Sequence, residues 1–359
     1  MDSAHPLHLA QTPAEAQNYV GDNVCARCHA AIAQRHGMSG HAHSLFLAAA
    51  AGVGRYFRIR QSIRDSKADT TYHTAVRNGA CLLVNDAEGE REGIPASIVI
   101  GSGRNGQTYL GRDRFGQWFI LRLSYYTHTH GWDFTPGQEP SITSFADPKG
   151  QTLSHSQVSE CLSCHATSLQ MAPNGPDARH SLFGVGCESC HGPGRAHVDF
   201  QQGSTVSATR PAASMEDLQT APPARIMQIC GGCHSTLFDS HIDMPKTGES
   251  FSRFATTALA QSRCYRSSGT LSCITCHDPH TEVTPNPAAY EAACLGCHSG
   301  PARPARPMNA SSPPAPICKV NPRNGCIGCH MPTQSNPSFP HTLFHNHYIK
   351  IWTAPQAQM

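Results

Sequence analysis

Seven copies of one short motif, C-x-x-C-H, hold fourteen of the seventeen cysteines in this 359-residue chain. Two thiols three positions apart can form thioethers with the two vinyl groups of one porphyrin, and the next histidine then lies under the iron as its proximal ligand. The motifs therefore predict a multihaem c-type cytochrome with seven haem c groups and their iron. The predicted attachment cysteines and proximal histidines are Cys25, Cys28 and His29; Cys161, Cys164 and His165; Cys187, Cys190 and His191; Cys230, Cys233 and His234; Cys273, Cys276 and His277; Cys294, Cys297 and His298; and Cys326, Cys329 and His330.

Zinc is the alternative use of paired cysteines, because C-x-x-C is also half of a zinc ribbon or finger. A zinc site does not need a histidine directly after each second cysteine, whereas haem attachment does. Three cysteines lie outside the motifs. Cys81 belongs to an apolar run and is expected to be a core thiol, while Cys264 and Cys318 either form a disulfide or remain two buried thiols.

The second axial ligand of each iron decides between electron transfer and catalysis. Sixteen histidines remain after the seven proximal ones are subtracted from twenty-three, which favours low-spin irons with two histidine ligands. A histidine soon after a motif reaches a neighbouring haem more readily than its own. The distal ligands predicted from their positions are His41, His197, His280, His341 and His347, with His155, His180 and His241 as further candidates and His128 and His130 as weaker ones.

The segment between the first and second motifs has the sequence pattern of β structure. Short β-branched or aromatic runs alternate there with turn-forming residues, and we predict a small antiparallel meander. The predicted strands are residues 55–60, 71–77, 80–84, 96–100, 108–110 and 117–126.

The rest of the chain alternates motifs with short helical stretches and proline-rich linkers at residues 204–225 and 301–316. We expect a single-haem segment at 1–54, a β-rich insert at 55–150 and a six-haem domain at 151–359. The predicted fold is mostly irregular and α-helical, with a small antiparallel β insert and a core of stacked haems.

Composition supports a core that is partly cofactor, since only 39% of the residues are hydrophobic and 30 glycines and 27 prolines disfavour long helices. The 27 lysines and arginines are scattered, so nucleic-acid binding is not expected. No stretch approaches the 18 or more apolar residues that a membrane span requires. The first twenty residues show no signal peptide, yet haem c attachment belongs to the exported side of the bacterial membrane. We therefore expect a mature or trimmed chain in a periplasmic or extracellular location.

Several phrases around the motifs resemble multihaem cytochromes of the cytochrome c nitrite reductase and hydroxylamine oxidoreductase superfamily, including the tetrahaem cytochrome of ammonia oxidisers. The similar phrases are YVGDNVCARCH at 19–29, SGHA at 39–42, IGSG at 100–103, LSYY at 123–126, GWDFTPG at 131–137, GCESCHGPG at 186–194, LSCITCHDPH at 271–280 and CIGCHMP at 326–332. The resemblance implies closely packed haem pairs, parallel or perpendicular. It also implies ligation by two histidines through His41, His197, His280 and His347.

The same resemblance exposes two departures. The C-x-x-C-K motif, which carries the catalytic haem of the nitrite reductases, does not occur here. The tyrosine crosslink of the hydroxylamine oxidoreductases cannot be assigned from sequence. Both departures weaken an enzymatic interpretation.

Electron transfer is accordingly the predicted function, with redox proteins or other cytochromes as partners. One alternative is an oxidoreductase with an open haem that acts on a small nitrogen or sulfur oxyanion, near Arg55 and Tyr56 or near Tyr125 and Tyr126. A further alternative is a subunit of an extracellular cytochrome filament that self-associates through stacked haems.

Overall fold

The computed structural model describes residues 12–50, 52–86, 93–140, 147–203, 215–234, 254–299, 317–321, 323–336 and 339–352. The chain divides into two compact units, one formed by His8–Glu216 and the other containing Asp217–Met359. Of the two predicted linkers, residues 204–214 and 301–316 lie outside the described residues. The predicted division at residues 54 and 150 stays a prediction.

Helices are short throughout the described residues, as the glycine and proline content predicts. The first unit contains α1 Pro13–Ala16, α2 Asp22–Cys25, α3 Ala30–His36, α4 Gly54–Phe57, α5 His155–Ser163, α6 Cys187–His191 and α7 Arg195–Gln201. The second unit contains α8 Pro223–His234, α9 Ala255–Gln261, α10 Arg263–Ser268, a 3-10 turn at Cys273–Thr275, α11 Ala288–His298 and α12 Cys326–His330. In these residues no helix is long and apolar enough to cross a membrane.

A curled antiparallel sheet of ten strands fills the gap between the first and second motifs. Its strands are β1 Leu45–Leu47, β2 Ser62–Asp65, β3 Thr70–Arg77, β4 Ala80–Asn85, β5 Ile94–Ile100, β6 Gly106–Arg112, β7 Trp118–Leu121, β8 Leu123–Tyr126, β9 Gly131–Phe134 and β10 Gly150–Leu153. Strands β2 to β7 pair in sequence order as a meander, and β10 extends it beyond β7. Strand β1 pairs with β5, while β8 pairs with both β6 and β9.

Small hairpins complete both units. In the first unit β11 Ala166–Ser168 pairs with β14 Leu182–Phe183, and β12 Met171–Ala172 pairs with β13 Gly175–Pro176. In the second unit β15 Thr333–Asn336 pairs with β16 Phe339–His345. The structure is thus a mixed fold of short helices and antiparallel strands.

One predicted strand is wrong, and another is divided. Residues 55–60 were expected to be extended, but Gly54–Phe57 is helical because Val53 and Phe57, four positions apart, are both buried on one side of a helical turn. Residues 117–126 form two strands separated at Arg122. The other four predicted strands are confirmed within β3, β4, β5 and β6.

Aromatic rings form the centre of the sheet's core. The ring of Phe57 lies 4.8 Å from that of Tyr109 and 4.9 Å from that of Trp132, both edge to face. The ring of Tyr56 lies 4.2 Å from that of Tyr125. Cys81 is buried in the same cluster, where burial raises the pKa of its thiol, so it is the core thiol that its apolar context predicts.

A buried ion pair joins the end of β2 to the junction of β7 and β8. The Arg122 guanidinium donates to the Asp65 carboxylate at 2.5 Å, and the two side chains are only 3% and 0% exposed. Burial raises the pKa of Asp65, but bonds from the Ala68 and Lys67 amides and from Arg122 outweigh it, so the net shift is downward. The pair fixes Arg122 where β7 gives way to β8.

Candidate haem-binding sites

Each of the seven motifs begins on a helix or helical turn. Helices α6 and α12 are the third and seventh motifs themselves, and α8 and α11 end on His234 and His298 of the fourth and sixth. Residues i and i+3 of a helical turn lie on the same face, so the two cysteines of a motif project to one side. This local geometry is what attachment of two thiols to one porphyrin requires.

The first and third motifs lie together although 162 positions separate Cys25 and Cys187. The thiols of these two cysteines are hydrogen-bonded to each other. That bond lowers the pKa of Cys25 and raises the pKa of Cys187. The attachment points of two different motifs are therefore in contact.

Two carboxylates hold these motifs side by side. Glu188, inside the third motif, accepts hydrogen bonds from the backbone amides of Val20 at 2.9 Å and Gly21 at 2.8 Å, just before the first motif. Asp22 makes a second hydrogen bond between these segments, because its carboxylate accepts from the Cys187 amide at 2.9 Å at the start of α6. An anionic side chain there also complements the partial positive charge of the helix N-terminus.

Motifs also meet in the second unit. The thiols of Cys230 and Cys273 are hydrogen-bonded, which joins the fourth motif to the fifth. Cys294 and Cys326 are hydrogen-bonded likewise, which joins the sixth to the seventh. Burial raises the pKa of Cys294 to about 12. Six of the seven motifs thus contact another motif through their first cysteines.

Two histidine pairs have the separation that an iron between them would need. The rings of His29 and His197 have centroids 6.4 Å apart, and those of His277 and His347 are 6.2 Å apart. Metal–imidazole bonds of about 2 Å, with about 1.1 Å from each ring nitrogen to its ring centre, give a separation of about 6.2 Å. These separations fit an iron that would be held by both histidines of each pair, at the first and fifth motifs.

His347 is oriented by its neighbours. Its Nδ1 lies 3.0 Å from the backbone carbonyl oxygen of His345, which leaves Nε2 for a metal. Ser262, fully buried between α9 and α10, donates to the His347 carbonyl at 3.1 Å and accepts from the Ile349 amide at 2.8 Å. Burial lowers the pKa of His347 to about 4, so the imidazole is neutral, as metal ligation requires.

Two proximal histidines make the same kind of backbone contact. Nδ1 of His191 lies 3.1 Å from the carbonyl oxygen of Glu216, and Nδ1 of His330 lies 2.9 Å from that of Lys350. A bond of this kind fixes the ring and directs Nε2 away from the backbone. The His330 carbonyl also accepts from the Trp352 indole at 3.1 Å, so the C-terminal segment packs around the seventh motif.

The other predicted distal histidines occupy varied positions. His41 is exposed, and its carbonyl accepts from Val185, two residues before the third motif. His280 lies with Nδ1 3.0 Å from the Asp278 carboxylate, and His341 is exposed in β16 with a φ of 64°. The role of these three histidines as distal ligands stays a prediction.

The further candidate ligands also stay predictions. Nε2 of His155 lies 2.9 Å from the Ala172 carbonyl oxygen, and Nδ1 of His180 lies 2.7 Å from the Asp177 carboxylate on an exposed turn. His128 and His130 are exposed, and His241 lies outside the described residues. In the ranges that the structure covers, no group of three or more His, Cys, Asp or Glu side chains converges to hold a metal ion directly. Cys264 and Cys318 carry separate thiols.

Sequence reasoning missed the residues that position the site. Glu188 and Asp22 join the first and third motifs, and Ser262 holds the His347 segment. In the sequence, Glu188 was distinguished only by being a charged residue at a variable position of a motif. Nothing in the sequence marks Asp22 or Ser262, because their partners are distant along the chain.

One protein family model matches part of this chain. A model of the cytochrome c554 and c-prime family matches residues 125–192, which contain the second and third motifs. A solved structure described as outer cell wall cytochrome OcwA is similar at 16% identity, over 93% of this chain and 80% of that chain, with a TM-score of 0.47. A search of curated proteins found no match. Together with the motifs, the family match supports a multihaem c-type cytochrome with covalently bound haem and a general role in electron transfer.

Proposed function

We propose that this protein transfers electrons through seven haem c groups, most of them ligated by two histidines. The observation that carries the proposal is the spacing of 6.4 Å between the His29 and His197 rings and of 6.2 Å between the His277 and His347 rings. A bound haem supplies a one-electron iron couple whose potential depends on its ligands, burial and hydrogen bonds. Two histidines on one iron leave no coordination position for a substrate.

The chain's own residues keep the attachment sites close. The first cysteines of neighbouring motifs are in contact, first with third, fourth with fifth and sixth with seventh, which keeps the thioether positions of paired haems close. His197 follows the third motif by six residues and faces the proximal histidine of the first. A distal ligand supplied from beside a different motif would tie two haem sites to each other, which favours transfer along the chain.

The proposal also covers the cellular location, the partners and the superfamily of this protein. Covalent haem attachment on the exported side of the bacterial membrane places the protein in the periplasm or outside the cell. Its partners are redox proteins or other cytochromes, and stacked haems at a surface offer a route to self-association. Its proposed relationship to the nitrite reductase and hydroxylamine oxidoreductase superfamily rests on the short sequence segments around the motifs.

A reductive titration of the purified holoprotein tests the function. Stepwise reduction followed by visible absorption is expected to take up seven electrons per chain, with low-spin spectra throughout and re-oxidation by another c-type cytochrome. The matched control replaces Cys161 and Cys164 by alanine, which removes one attachment site and should lower the uptake to six. Uptake far below seven, or a haem spectrum that changes on addition of nitrite or hydroxylamine, would contradict the proposal.

A further inference from the structure

Glu188 is a fully buried acid inside a predicted haem attachment motif. Its Oε1 accepts from the Gly194 amide at 2.7 Å and the Val20 amide at 2.9 Å, and its Oε2 accepts from the Gly21 amide at 2.8 Å. Both oxygens act only as acceptors, which is the pattern of an ionised carboxylate. All its hydrogen bonds come from backbone amides, which orient the group but leave its full negative charge.

We infer that Glu188, with Asp22 beside it, lowers the reduction potentials of the haems at the first and third motifs. This inference rests on the proposed function, since it requires haem at both motifs. Reduction adds one electron to a ferric iron and breaks no bond to the protein, so it removes one unit of positive charge. A fixed negative charge nearby stabilises the ferric state relative to the ferrous state.

The placement of the two acids makes this effect strong. Glu188 lies between the two attachment cysteines of the third motif and accepts from Gly21, four residues before Cys25, while Asp22 accepts from the Cys187 amide at 2.9 Å. Because Glu188 is 0% exposed, water screens its charge little. Haems at these motifs are then harder to reduce, and electrons shift toward the rest of the chain.

Replacing Glu188 by glutamine tests the inference, because the side chain keeps its size and loses its charge. In a potentiometric titration of the holoprotein, two of the seven haems should become easier to reduce by at least tenfold in their one-electron equilibrium constants, which is about 59 mV. The matched control is Glu160→Gln, since Glu160 is exposed and directly precedes the second motif. Solvent screens that charge, so its removal should change the constants less than about threefold.

Intact mass of each variant separates the possible outcomes. Seven haems with no shift in Glu188→Gln would overturn the inference and leave the proposed function standing. A wild-type protein without haem at these motifs would instead refute the proposed function. If Glu188→Gln loses haem, Asp22→Asn is the second variant. It should make the same two haems easier to reduce, and an unchanged titration of that variant overturns the inference.

Discussion

His347 is the residue outside the motifs on which the proposed ligation depends most directly. Replacing it by alanine should leave the iron at the fifth motif without a distal ligand, because its ring lies 6.2 Å from that of His277. The expected result is one high-spin ferric signal that accounts for one iron of seven in the EPR spectrum. The matched control is His345→Ala, which removes an exposed histidine two positions away and keeps the backbone carbonyl that orients His347.

An unchanged low-spin spectrum in His347→Ala, with seven haems present, would show that another residue ligates this iron. At this scale the attachment sites could be predicted from the sequence, because C-x-x-C-H is a local pattern that needs only one helical turn. His197 and His347 were also predicted as distal ligands, and their rings lie 6.4 Å and 6.2 Å from the rings of His29 and His277. Glu188 could not be predicted, since its role arises from amides 167 and 168 positions away.

The buried Asp65–Arg122 pair is the main polar element of the antiparallel sheet. Arg122→Met should cost about 3–5 kcal/mol of unfolding free energy, because it leaves the Asp65 carboxylate buried without its cation. The matched control is Arg64→Met, which breaks an ion pair with Asp69 whose side chains are 54% and 89% exposed. That change should cost less than about 1 kcal/mol. Urea unfolding of both holoprotein variants, followed by circular dichroism, gives the comparison, and equal losses would contradict the account of the sheet.

Strands were predictable where apolar alternation and turn residues agreed, as in β3 and β4 around the Arg-Asn-Gly turn at 77–79. The strand prediction for residues 55–60 failed because Tyr56, Phe57 and Ile59 are residue types that suit a strand as well as a helix. A helix buries Val53 and Phe57 together. Their burial depends on the rest of the sheet, which the local sequence does not show. The break between β7 and β8 at Arg122 could not be predicted from the local sequence either, because its partner Asp65 lies 57 positions earlier.

The whole molecule combines an antiparallel sheet with short helices that carry C-x-x-C-H motifs. A low hydrophobic fraction and many glycines and prolines predicted the short helices correctly. The pairing of motifs was not predictable in detail, because contacts such as Cys25 with Cys187 join distant parts of the chain. The family match over residues 125–192 agrees with the motif count as a sign of multihaem character.

Intact mass and EPR of the oxidised holoprotein test the central claim most directly. The account predicts a mass equal to the polypeptide plus seven haems, with low-spin ferric signals for the irons and no stoichiometric high-spin signal. A smaller haem count would contradict the attachment sites. A high-spin signal from one full iron that shifts with nitrite or hydroxylamine would contradict electron transfer as the main function, because one haem would then be open to a substrate.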